Sequence, residues 1–181
     1  MVPQLVSDKA MEPIMVSTEA FREGMAHLTG AVNVITTDGP KGFAGITATA
    51  VCSVTDQPPT LLVCINRNSF AHPFFTGNGV LGINVLRANQ QDVAQTFASR
   101  DISMPERLAR VPTGVLHTGS PLIDNTLVGF DCRITSQHDA GSHSVLICEV
   151  MGVRQGTPGE GLVYFRRNYH GIGHTEPEAV G

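Results

Sequence analysis

Between positions 45 and 69 the chain gathers hydroxyl and amide side chains among small residues. Thr47 and Thr49 flank Ala48 in GITATAVCSVT, Ser53 follows, and Asn66, Asn68 and Ser69 close the segment in INRNS. Neutral donors beside small side chains can seat a flat ligand with a polar edge, because the backbone can come close to it. Hydroxyls and loop N–H groups can also receive an anion such as phosphate. Both patterns have plainer uses. Threonines are common in strands, and Asn and Ser are favoured in turns. On the residues alone, both readings stand.

Three other groups could take part in chemistry. His143 sits in Ala140-Gly141-Ser142-His143, a turn between two extended runs, where a solvated polar residue is the plain alternative. Arg166, Tyr169 and His170 stand close together in YFRRNYH, which also reads as a strand end with exposed charges. Arg67 and Phe97 are further candidates, against a solvated loop arginine and an ordinary core phenylalanine. The histidines at 27, 72, 117, 138, 143, 170 and 174 include no i, i+4 pair in a helical context, so no metal site is expected. Cys52, Cys64, Cys132 and Cys148 are dispersed among apolar residues and read as buried, reduced thiols. Gly77-Asn78-Gly79-Val80-Leu81-Gly82 matches G-x-G-x-x-G. It runs directly into an apolar strand, however, where the dinucleotide motif opens a helix, so a hairpin turn is expected instead.

The elements that position these groups read mainly as strands. AVNVITT leads into the turn signal Asp38-Gly39-Pro40; GITATAVCSVT, TLLVCI, LGINVL, LVGFDCRI, SVLICEVMGV and GLVYFRR follow. Two helices are expected. One runs from Glu19 toward Leu28, capped by Ser17 or Thr18, with Phe21, Met25 and Leu28 packed on the core. The other runs from about Asn89 to Ala98, with Val93 and Phe97 one turn apart. Residues 100–120 give no clear pattern. No repeating strand-then-helix rhythm appears, so an antiparallel β-barrel with a few covering helices is the expected fold class. The expected organisation is a tail over 1–16, one domain over 17–172 and a C-terminal tail over 173–181.

Composition narrows the classes. The 181 residues carry a net charge of −4 and show no basic stripe, which argues against a nucleic-acid surface. The apolar runs fall far short of the roughly 20 residues needed to span a bilayer. The N-terminus does not read as a secretory signal, and a cytoplasmic location is expected.

The core GITATAVCSVTDQPPTLLVCINRNS, followed by NGVLGINVL, AGSH and GLVYFRRNYH, resembles the short-chain flavin reductase family over about residues 19–171. Within that family it is similar to the reductase components of two-component 4-hydroxyphenylacetate 3-monooxygenases and to flavin reductases of pyrimidine catabolism. The resemblance implies a split β-barrel FMN-binding fold, Greek-key-like in its connections, that forms a homodimer. It implies hydride transfer from NADH or NADPH to FMN or FAD, with reduced flavin supplied to a separate monooxygenase. It places Thr47, Ala48 and Thr49 along the flavin ring, and Ser53 and Ser69 near the phosphate. Cys64, Ile65 and Asn66 line the flavin, Phe97 covers an edge, and His143 faces the nicotinamide. Arg166, Tyr169 and His170 contact nicotinamide or flavin near the dimer seam. Many relatives have Asp where this chain has Ser142. No dense charged phosphate cage is visible, so flavin is expected to be released after reduction. A non-enzymatic FMN-binding protein of the same barrel is the alternative. An oxidase of the pyridoxamine-phosphate type would need a basic cluster that the scattered arginines do not supply.

Overall fold

The computed structural model describes residues 15–173, and most of both expected tails lies outside the described residues. Ser17 accepts a hydrogen bond from the Ala20 N–H at 3.1 Å and so caps α1 (Thr18–Ala26). The helix is where the capping signal put it, but its apolar face is not packed on the core. Phe21, Met25 and Leu28 are 61%, 46% and 65% exposed. The helix is held instead by polar contacts. Ala26 O accepts from the Arg166 N–H at 2.7 Å, and Glu23 pairs with Arg167 at 2.7 Å.

β1 (Gly30–Ala31) precedes the hairpin of β2 (Asn33–Thr37) and β3 (Ala44–Ala48). β4 (Val51–Asp56) and β5 (Pro59–Asn66) form the next pair, followed by α2 (His72–Asn78) and β6 (Val80–Val85). A 3-10 turn at Ala88–Gln90 leads into α3 (Gln91–Ala98), and α4 (Met104–Ala109) follows. β7 (Thr113–Gly114) and β8 (Leu122–Ile123) make a short ribbon. The long hairpin of β9 (Val128–Ala140) and β10 (His143–Gln155) precedes a second hairpin, β11 (Gly161–Phe165) and β12 (Asn168–Ile172).

Seven antiparallel strands make the main sheet, in the order β3-β2-β6-β9-β10-β5-β4. Its two edge strands, β3 and β4, are joined by only Thr49 and Ala50. A sheet whose edges are two residues apart must curl on itself, which gives a barrel split at that link. β11 lies between β1 and β12 in a separate three-stranded sheet.

Two apolar clusters fill the structure. One contains Ile35, Val63, Phe75, Leu81, Ile83 and Leu146; the other contains Val32, Val34, Leu86, Phe97 and Leu162. β2 contributes Ile35 to the first and Val34 to the second, and is buried along its whole length.

Three further expectations need correction. Gly77-Asn78-Gly79 is not a hairpin turn: it ends α2, with Gly79 at φ 70° as the left-handed cap. A helix ends within this run and a strand follows, the reverse of the dinucleotide arrangement. YFRRNYH is not a simple strand end. Arg166 and Arg167, at φ 47° and 63°, turn the chain back into β12. Cys52 is exposed on β4, while Cys132 and Cys148 are buried and pushed well up in pKa by burial, Cys148 to about 12.

Candidate functional site

The split in the barrel opens into a cavity of about 1370 Å³. One wall is the end of β3 and its link to β4, Ile46 through Ala50. A second is the end of β5 and the loop after it, with Cys64, Asn66, Asn68, Ser69 and Phe70. The third runs from Phe97 at the end of α3 through Arg100 to Arg107, and His143 projects from the start of β10. β5 and β10 pair with Asn66 opposite His143, which brings the loop and the histidine turn together.

Among the described residues the lining is apolar and neutral-polar, with two arginines, one histidine and no carboxylate, in a chain of net charge −4. Burial raises the Cys64 thiol, so it contributes a protonated, uncharged surface. Thr47 donates from Oγ1 to Ala94 O at 2.6 Å, which commits its proton to α3 and leaves the oxygen lone pairs for a ligand. Asn66 Oδ1 accepts from the Asn68 N–H at 2.9 Å, and Ser69 Oγ accepts from the Ala71 N–H at 3.3 Å. Ser142 Oγ lies 2.9 Å from His143 Nδ1 and holds the ring by that nitrogen.

Of the sequence-derived candidates, the cavity brings together Thr47, Ala48, Thr49, Cys64, Asn66, Ser69, Phe97 and His143. Ser53 is outside it, on the exposed edge strand β4. Ile65 points into the core with no exposure, because alternate residues of β5 face opposite sides. Arg166, in the β11–β12 turn, and Tyr169 and His170, on β12, do not line the cavity. Tyr169 packs against the second apolar cluster, and His170 donates from Nε2 to Phe165 O at 3.2 Å. Arg67 is also turned away, toward Asp139 at 3.5 Å.

Sequence reasoning missed Phe70, Phe74, Arg100, Met104 and Arg107. Phe70 and Phe74 form a tilted aromatic pair, centroids 5.4 Å apart, at the rim. Arg107 is 6% exposed and has no carboxylate partner among the described residues. Its guanidinium donates to Ile102 O at 3.0 Å, to Gly45 O at 2.9 Å and Phe97 O at 3.0 Å, and to Ser99 O. Desolvation lowers its pKa.

An acid-free cavity with small, hydroxylated walls and aromatic edges suits a phosphate-bearing aromatic ligand. The comparison with known proteins agrees: residues 25–173 match the Flavin reductase like domain. The chain belongs to the flavin reductase-like family. An FMN reductase (NADH) RutF of Stutzerimonas stutzeri (strain A1501) is 52% identical over 154 residues, which cover 85% of this chain and 88% of that protein. Its counterpart in Pseudomonas syringae pv. syringae (strain B728a) is 45% identical over 179 residues, 98% of this chain and all of that one. BorF, the flavin reductase component of a bacterial two-component tryptophan halogenase, superposes with a TM-score of 0.82 at 27% identity, over 88% of this chain and all of its own. The fold is therefore the split β-barrel of the flavin reductases. Among the described residues, no cluster of His, Cys, Asp or Glu could hold a metal ion, and no helix is long and apolar enough to cross a membrane.

Proposed function

We propose that the chain is an NADH-dependent FMN reductase whose reduced flavin serves a separate monooxygenase. The observation that carries this is the acid-free cavity at the barrel split, with Thr47–Thr49 on one wall and His143 on another. The names of the similar RutF proteins support the pairing of FMN with NADH. Thr47, Ala48, Thr49, Cys64 and Asn66 would hold the flavin ring, with the Ser69 hydroxyl, whose proton is not taken by the Ala71 contact, donating to the phosphate. Arg100, exposed at the rim, is the cation available to a second nucleotide. When bound, flavin accepts the hydride that NADH donates. The chain's own work is to hold the two rings together and exclude competing geometries. No side chain has to act as nucleophile.

His143 orients the nicotinamide in this reading. His143→Ala should raise the KM for NADH about tenfold while the Kd for FMN stays within about twofold. Steady-state NADH kinetics beside a flavin fluorescence titration checks this. Unchanged NADH kinetics would remove the role.

A homodimer is part of the proposal, because the cavity is open and Phe21, Met25, Leu28 and Val54 leave apolar surface uncovered. Light scattering should give twice the chain mass. NADH and NADPH oxidation with FMN, FAD and riboflavin tests the reaction itself. Faster turnover with NADH and FMN than with the other pairs is expected. Flavin binding without any NADH oxidation would favour a non-enzymatic FMN-binding protein.

A further inference from the structure

The turn that carries His143 and the loop that carries Asn66 and Ser69 are tied to one carboxylate that lines no part of the cavity. Asp139, at the end of β9, accepts from Ser144 Oγ at 2.8 Å and from Gln137 Nε2 at 3.2 Å. It also stands 3.5 Å from the Arg67 guanidinium. Those two hydrogen bonds, with the Arg67 charge, hold its carboxyl below the usual range. Arg67 opens the loop after β5. Its backbone N–H donates to Ser142 O at 2.9 Å and its guanidinium to Gly141 O at 3.4 Å.

The other end of the loop reaches the same carboxylate by a second route. Ser144 follows His143 and is fully buried. Its one hydroxyl proton goes to Asp139, so His72 Nε2, 2.9 Å from the same oxygen, must be the donor in that contact. His72 is the first residue of α2. Both ends of the 67–72 segment therefore converge on Asp139, Arg67 directly and His72 through Ser144.

We propose that Asp139 is a positioning residue that fixes the distance between the flavin-side loop at 66–69 and the nicotinamide-side turn at 141–143. The proposal rests on the flavin and NADH reading of the cavity. The Arg67–Asp139 pair is about half exposed on both sides and adds little stability by itself. What Asp139 supplies is direction. Without it the buried Ser144 hydroxyl loses its acceptor, so nothing fixes the oxygen to which His72 donates, and Arg67 loses its second anchor. The two walls then keep their fold but shift relative to each other, so each ring loses part of its preformed seat and binds less tightly.

Asp139→Ala and Ser144→Ala, made in the full chain, test this through the split between KM and kcat. Asp139→Ala should raise the KM for NADH and the Kd for FMN about five- to tenfold each, with kcat within about twofold of wild type. Ser144→Ala should show the same split more weakly, and Asp139→Glu should restore most of the affinity. A variant with lower kcat but unmoved KM and Kd would mean a purely structural role, and would overturn the proposal. So would an Asp139→Ala protein indistinguishable from an active wild type. A wild-type protein that neither binds FMN nor oxidises NADH would overturn the functional reading itself, and the coupling with it.

Discussion

Gly45→Val is expected to weaken FMN binding about a hundredfold. A Cβ at position 45 would stand 2.5 Å from Cε1 and 2.7 Å from Cδ1 of Phe97, well inside contact distance. The ring has little room to retreat, because Phe97 is 1% exposed and packed among Val32, Val34, Leu86 and Ala94. Either Phe97 swings into the cavity or α3 moves away from β3. Both routes displace the wall that carries Thr47, whose hydroxyl is tied to Ala94 O. Overpacking of this kind also costs about 1–3 kcal/mol of stability. A flavin fluorescence titration beside urea unfolding separates the two effects. Wild-type affinity in Gly45→Val would mean that the β3–α3 contact does not shape the binding site.

The second large effect is expected at Arg107. Arg107→Leu removes the donors that serve four carbonyls, those of Gly45, Phe97, Ser99 and Ile102. Unpaired buried acceptors cost about 1–3 kcal/mol each, less where water can reach them, so a loss of about 3–4 kcal/mol is expected. The guanidinium joins β3, the end of α3 and the start of the 99–102 turn, so the third cavity wall should loosen as well. The KM for NADH and the Kd for FMN should then both rise about tenfold. Arg107→Lys should recover only part of the stability, since a compact ammonium cannot span the planar spread of these acceptors. Urea unfolding measures the first effect. A midpoint shift equivalent to less than about 1 kcal/mol would show that water satisfies the carbonyls unaided.

The contrast between Gly45 and Arg107 shows where sequence reasoning succeeds. The small residues of GITATAVCSVT pointed to a backbone that a flat group could approach closely, and at Gly45 the group that approaches is the Phe97 ring. The strands, the turn before His143 and the α3 helix were legible because apolar patterning and turn residues act locally. Arg107 was not, because its role depends on carbonyls from four separate positions. Some misses did carry a local signal. Ser103 and Glu106 form a capping box for α4, and Pro73 with Gly79 brackets α2 as an N-terminal proline and a C-terminal glycine. The Arg166-Arg167 turn had none, since positive φ at both central positions is usually marked by Asn or Gly. The exposed face of α1 was misjudged for another reason: helical periodicity shows that an apolar face exists, not what covers it.

In the proposed function, the cavity at the barrel split brings flavin and NADH together for hydride transfer. Rapid anaerobic mixing of the protein and FMN with NADH tests it most directly, by following the loss of the flavin's visible absorbance. Bleaching at a rate that saturates with NADH is expected. Bleaching no faster than in a protein-free mixture would contradict it.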